Sequence, residues 1–276
     1  MKIIEFVRDL NWSARIGLII ILFFAFCAAF APWIAPYGES QIVGDVWEPI
    51  GGEFLFGTDL IGRDMLSRLI FGARNTIVLA LITTACSFSL GALMGFLAAT
   101  MGGWVDQLLS RIVDIIISVP TLIAALIVVS AVGTSFFVLA AVIGIIYAMP
   151  VFRIARAVAM DVEVMDYVEA ARLRGEGLWW IMKREILPNA MTPLAAEFGL
   201  RFCFVFLLIS GLSFLGLGLQ PPLADWGAMV RANSEGIAWG FMHPLIPASC
   251  IALLTIGINL LVDSLVHKAS GLRDDH

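Results

Sequence analysis

Charge is the scarcest commodity in this chain. Of its 276 residues, 14% are Asp, Glu, Lys or Arg, whereas 60% are hydrophobic. A soluble domain carries nearer a quarter charged residues, so the composition argues against an ordinary water-facing protein. Histidine is almost missing too: His243, His267 and His276 stand far apart and form no ligand cluster. The four cysteines, Cys27, Cys86, Cys203 and Cys250, all lie in apolar runs with no metal-ligand spacing, which reads as small buried hydrophobes. A net charge of −5 disfavours a nucleic-acid partner. No phosphate loop with its lysine is present: "GEFLFGT", Gly52 to Thr58, has the glycine spacing but no lysine. We read it as a loop turn, so an ATPase would have to be another chain.

What the sequence does contain is long apolar runs. Stretches near twenty residues with few charges read as membrane-spanning helices, because helices satisfy their own backbone in lipid. Six are expected, at Ile16–Ile34, Thr76–Thr100, Leu108–Val132 with Pro120 inside, Phe136–Pro150, Leu194–Leu217 and Leu245–Val266. The fold class is therefore all-α integral membrane. The fourth run is short and is expected to extend onward. Between the first two runs lies an ordered loop, residues 35–75, ending in a short surface helix.

Lys and Arg set the expected orientation. Lys2, Arg8 and Arg15 precede the first run, and Lys268 and Arg273 follow the last. Arg153, Arg156, Arg172, Arg174, Lys183 and Arg184 lie between the fourth and fifth. These segments, 1–15, 152–190 and 267–276, are expected on the cytoplasmic side.

Segment 152–190 holds a compact charged piece, "DYVEAARLRGEGLWWIMKREILPN". Asp166 followed by Glu169 has the capping-box spacing, predicting a helix from Tyr167 to about Arg174. Gly175 stands where a left-handed cap belongs. A second helix is expected from Leu178 to just before Pro188. Ala170 and Ala171 keep one side of the first helix low, so that another surface can approach. A plain hairpin on the membrane surface, with Trp179 and Trp180 at the interface, fits the same spacing.

This piece resembles the EAA loop of bacterial ABC importer permeases, with Glu169, Ala170, Ala171, Gly175, Ile186, Leu187 and Pro188 in the motif positions. "FGTDLIGRDMLSRLIFGAR" and "SFLGLGLQPPLADWGAMV" are similar to the dipeptide, oligopeptide and nickel permease family, in its shorter C-type subunit. The likeness runs from Phe56 to Val266. It implies a type I importer permease fold, with the loop a coupling helix seated on an ATP-binding subunit. It further implies a homologous permease partner, two ATP-binding subunits that hold ATP and Mg, and an extracytoplasmic substrate-binding protein. No cofactor is expected in the chain itself. Peptide is the expected cargo; nickel, glutathione or an opine is the alternative within the family. Outside it stand an ion-coupled secondary transporter and a membrane-anchored structural protein.

Ionisable residues inside spans deserve a functional hypothesis. Arg111 with Asp114, and Glu197 with Arg201, have the spacing to pair on one helix face, and with Asp263 they are expected near the cytoplasmic ends. The span middles read as uncharged, with Thr83, Thr84, Ser87, Ser89, Ser210 and Asn259 as their polar content. Ser210 and Asn259 are taken as possible pathway-lining residues. Asp225 and Trp226, in a turn-rich segment, are taken as possible contacts for the external binding protein.

Overall fold

The structure is a computed structural model, and it describes residues 11–269. Lys2, Arg8 and Arg273 lie outside the described residues, as does the side chain of Lys268. Eleven α-helices occur among the described residues. In chain order they are α1 (Trp12–Ala29), α2 (Ala31–Ile34), α3 (Met65–Met101), α4 (Gly103–Ile117), α5 (Thr121–Val132), α6 (Phe136–Glu163), α7 (Asp166–Leu173), α8 (Leu178–Ile181), α9 (Leu187–Phe214), α10 (Trp226–Asn233) and α11 (Leu245–Ala269). No strand accompanies them among these residues, only two isolated bridges in the loop after α2.

Five helical segments are long and apolar enough to cross a membrane, and six spans result if α4 and α5 count as one broken span. That broken span is where the sequence expected a single helix with Pro120 inside. The two halves are bent by 87°. Pro120 is extended, with ψ 125°, and sits just ahead of α5. It lacks the N–H that would continue the ladder, so the helix restarts rather than curves. Pro150 behaves differently: α6 continues past it to Glu163, and membrane helices tolerate an internal proline when neighbours pack around it. The expected surface helix before the second span is likewise absorbed into the 37-residue α3. Its start is fixed by Asp64, whose side chain accepts from the Ser67 N–H at 2.7 Å.

The central packing is α3 against α6. It is close because of Gly91 and Gly95, four residues apart on α3. A Cβ on Gly91 would stand 2.5 Å from the Ala148 carbonyl oxygen, and one on Gly95 would stand 2.8 Å from the Phe152 carbonyl oxygen. Small residues at this spacing let membrane helices approach backbone to backbone. The first helix is joined to the last in the same way: a Cβ on Gly17 would lie 2.4 Å from the Gly257 carbonyl.

Candidate functional site

The two ends of this bundle carry different polar structures. At one end, the loop before α3 and the segment around α10 fold onto each other. Asp59 is 1% exposed and accepts from the Ile61 and Arg63 backbone N–H groups, both at 3.0 Å. It also pairs with Arg63 at 2.7 Å and Arg68 at 3.4 Å. Glu39 accepts from Asn75 at 2.7 Å and from the Ala224 N–H. The Leu60 N–H reaches Asn233 at 3.2 Å, and the His243 Nε2 lies 3.1 Å from the Glu48 carbonyl oxygen. The charged motif residues are thus mostly turned inward, holding the segment together.

Asp225 and Trp226 belong to this interior, which corrects the expectation of a surface contact. Asp225 is fully buried and caps α10, accepting from the Ala228 N–H at 2.9 Å. Burial pushes its carboxyl up from the ordinary value, against the hydrogen bonds from Ala228, Thr76 and Gly227 that pull it down. Trp226 is 1% exposed; its indole N–H donates to the Leu69 carbonyl at 2.9 Å, and its ring meets Phe24 edge-on at 5.2 Å. Neither side chain is offered to a partner. Ser210 is also buried, beneath α10, where a Cβ on Gly227 would stand 2.2 Å from the Ser210 carbonyl. It lines no open surface of this chain. Asn259 is half-buried and donates to the Thr255 carbonyl of its own helix at 3.0 Å.

At the other end, α7 crosses beneath the close of α6. Its inner face is Val168 and Ala171, three residues apart and both fully buried. They pack with Phe96, Ala155, Ile181 and Ile186 in one cluster. The helix starts one residue earlier than the capping-box spacing suggested. Met165 occupies the cap position with no side-chain bond, and the Glu169 N–H reaches the Met165 carbonyl at 3.3 Å. Asp166 therefore sits in the first turn, where its charge, with that of Glu169, favours the positive end of the helix dipole.

The far end does carry the left-handed glycine. Gly175 has φ +83°. Its N–H bonds to the Arg172 carbonyl at 2.8 Å, and the Glu176 N–H bonds to the Ala171 carbonyl at 3.2 Å. This pair of bonds is the Schellman motif. The space beside Gly175 is open, so its requirement is conformational and not steric.

Ala170 and Ala171 do not share a face. Ala171 points inward and Ala170 is exposed, so the low profile serves two surfaces at once. The two arginines are used within the chain. Arg172 pairs with Glu163 and reaches the Thr100 carbonyl at 3.4 Å, tying α7 to the ends of α6 and α3. Arg174 lies over the Trp180 ring at 5.8 Å. Pro188 does not end the second helix. Met182–Ile186 widens into a π turn, and Pro188 falls in the first turn of α9, where its missing N–H is tolerated. Ile186 is buried, whereas Leu187 and Pro188 are exposed.

What this end offers outward is apolar. Leu173 is 83% exposed, Val164 79% and Trp179 68%. Leu173 closes α7, which also exposes Glu169 and Ala170, while Val164 precedes that helix and Trp179 follows it. No sequence pattern singled out Val164 or Leu173; their position either side of α7 became visible only in the fold.

The paired ionisable residues are rearranged. Asp114 pairs with Arg153 of α6 at 2.5 Å instead of with Arg111, because α4 lies along α6. Asp106 joins Arg156 on the same seam. Glu197 and Arg201 do pair on one helix face. They lie on α9, with Arg201 13 residues before Phe214.

Comparison with known proteins follows this geometry closely. Residues 90–268 match the family described as binding-protein-dependent transport system inner membrane component, and residues 10–45 match the N-terminal TM domain of oligopeptide transport permease C. The di/tripeptide transport system permease protein DppC of Pseudomonas aeruginosa is 37% identical over 92% of this chain and 86% of its own length. The dipeptide transport system permease protein DppC of Haemophilus influenzae is 33% identical over 92% of this chain and 89% of its own. Among solved structures, an inward-facing MetNI methionine ABC transporter has a chain that aligns with a TM-score of 0.56 at 16% identity, covering 76% of this chain and 98% of that one. At that identity the likeness is one of fold.

Proposed function

The chain belongs to the family of binding-protein-dependent transport system inner membrane components, and on that premise we propose that it forms half of a translocation pathway for di- and oligopeptides. The observation that carries the reading is α7: a helix braced from beneath by Val168 and Ala171 and closed by Gly175, with Leu173 exposed on it and Val164 and Trp179 exposed in the segments before and after it. A braced helix moves as a unit with the span ends to which it is tied. A push on its outer face passes through Arg172 to Glu163 and Thr100, and so to α6 and α3. That is the mechanical requirement for a lever that biases a bistable packing of spans. Glu169, Ala170, Ala171, Gly175, Ile186, Leu187 and Pro188 are assigned to this coupling element: Ala171 and Ile186 as its seat, the others at its surface.

In this reading the outer face of α7 docks on one of two ATP-binding subunits, which hold ATP and Mg and carry out hydrolysis. A homologous permease completes the pathway, and an extracytoplasmic binding protein delivers the peptide. The chain itself catalyses no reaction. The α7 end and both termini are cytoplasmic, in keeping with the Lys and Arg bias. The peptide assignment draws on the relatives, whose alignment spans nearly the whole chain.

The test is uptake by the reconstituted complex with its binding protein. ATP-dependent accumulation of a dipeptide, absent without ATP or binding protein, is expected. Uptake driven by an ion gradient without ATP overturns the coupling reading; ATP-driven uptake of another solute with no dipeptide overturns the cargo. Orientation has its own check. On a background lacking Cys27, Cys86, Cys203 and Cys250, Glu48→Cys is expected to react with an impermeant thiol reagent in cells with a permeabilised outer membrane, and Glu176→Cys is not. Equal labelling defeats the lever assignment.

A further inference from the structure

A pathway for a hydrophilic cargo needs a wet wall, and two apolar cavities among the described residues do not supply one. The larger, about 780 Å³, lies between α1, α3 and α11 and is lined by Phe24, Cys27, Phe56, Trp226, Cys250 and similar groups. The smaller, about 260 Å³, is lined by Ile21, Leu81, Phe202, Leu254 and Ile258 among others. Both suit lipid tails and neither suits a peptide.

The seam of α6 and α9 is different. Arg201 lies on α9, 13 residues before its end at Phe214, about 20 Å at the helical rise. It pairs with Glu197 one turn away. The two side chains remain 12% and 13% exposed, so the pair reaches the open side of the seam. Beside it, the Tyr147 hydroxyl of α6 donates to the Phe204 carbonyl at 3.2 Å, and the Arg201 guanidinium lies 5.8 Å from the centre of the exposed Phe204 ring. Further along α6, toward the α7 end, Arg153 and Asp114 form a second pair, 54% and 61% exposed. Charged groups within spans face a bundle interior or a water-filled cavity, because lipid cannot solvate them. The partly exposed Glu197–Arg201 pair, on a helix that is a candidate span, marks such an aqueous face. A guanidinium has five N–H donors. Glu197 accepts from Nη2 alone, so it does not exhaust the fork.

The geometry points to the α6–α9 cleft at Tyr147, Glu197 and Arg201 as a wall of the aqueous pathway, where Arg201 receives a carboxylate of the passing solute. The inference rests on the transport reading above. Glu197 holds the guanidinium when the pathway is empty and competes with the incoming carboxylate. The contact is therefore weak and reversible, as a conduit requires. A group that bound its cargo tightly would trap it.

The test uses the assembled permease and ATPase complex in lipid vesicles without binding protein. The native cysteines are replaced and Phe204→Cys is introduced, one turn from Arg201. An anionic, water-soluble methanethiosulfonate is expected to react with this thiol, and millimolar dialanine or acetate is expected to slow the reaction by about threefold, whereas dialaninamide is not. Arg201→Gln should abolish the slowing, Arg201→Lys should retain part of it, and Glu197→Gln, which frees the guanidinium, should strengthen it. A purely structural ion pair predicts no such opposite signs. No reaction with or without nucleotide places the thiol in lipid and overturns the proposal, as does equal slowing in Arg201→Gln. Should Arg201→Gln fail to assemble, the Glu197→Gln and Arg201→Lys arms decide it alone: slowing unchanged in both overturns it. Slowing by acetate but not by dialanine keeps the carboxylate site and removes the peptide assignment, so the two readings fail separately.

Discussion

The loop before α3 and the segment around α7 look alike in sequence. Each is charged, rich in turn residues and set between apolar runs. Folded, they are opposites. In the first, Asp59 and Asp64 are buried and most of their hydrogen-bonding capacity is met within the chain. In the second, the buried residues are apolar, and Leu173, Val164 and Trp179 are left uncovered. Buried charge must be paired where it stands, so the first segment is a clasp. An uncovered apolar rim on a braced helix has its stabilisation still to gain, which suits the docking role proposed for the second.

Removing the hub of the clasp should have the largest effect. Asp59→Ala leaves Arg63 and Arg68 unpaired in a buried setting, and breaking such a pair costs about 3–5 kcal/mol. A marked drop in the thermal midpoint of detergent-solubilised protein is expected; an unchanged midpoint would mean that the clasp contributes nothing. The docking surface should respond in the opposite sense. Leu173→Glu should leave the chain's own stability within about 0.5 kcal/mol. It should weaken association with the ATP-binding subunit by tenfold or more, about 1.4 kcal/mol, read by co-purification and by uptake. Loss of stability instead of association would erase the contrast between the two ends.

Gly175→Val sharpens the comparison at the docking end. The left-handed backbone costs a side-chain-bearing residue about 1–2 kcal/mol, and no neighbour obstructs the new atoms. The six spans should still insert, while coupled uptake falls as α7 loses its fixed end. Insertion with full uptake would show that the cap is dispensable.

The smallest effect is a pH dependence at the clasp. Burial raises the Asp225 carboxyl above its ordinary value. Its stability contribution is therefore complete below the ordinary value of about 3.9 and is lost as pH rises through the raised one. Asp225→Asn keeps the cap acceptor without the charge. It should match or exceed the parent in thermal midpoint at neutral pH, and that advantage should shrink as pH falls toward 4. An advantage that grows on acidification would mean that Asp225 is stabilised as the anion.

Much of this could be read along the chain. Apolar runs announced the spans because membrane helices satisfy their own backbone, a requirement local in sequence. Gly175 was legible because a left-handed cap has a strong residue preference. The partners of charged groups were not legible. Asp114 was matched to Arg111 by spacing, but helix contact gave it Arg153.

The sequence by itself determined a helical membrane protein with a capped helix between two spans. Periodicity, hydropathy and turn chemistry act over a few residues, and each leaves a mark in the residues that carry it. Only the tertiary structure decided which charges face inward. It turned Asp225 and Trp226 into a buried clasp, split Ala170 from Ala171, and broke the third span by 87° at Pro120. Exposure and ion pairing depend on which helices come to lie side by side, and glycines such as Gly91 and Gly95 set that contact across many residues of intervening chain.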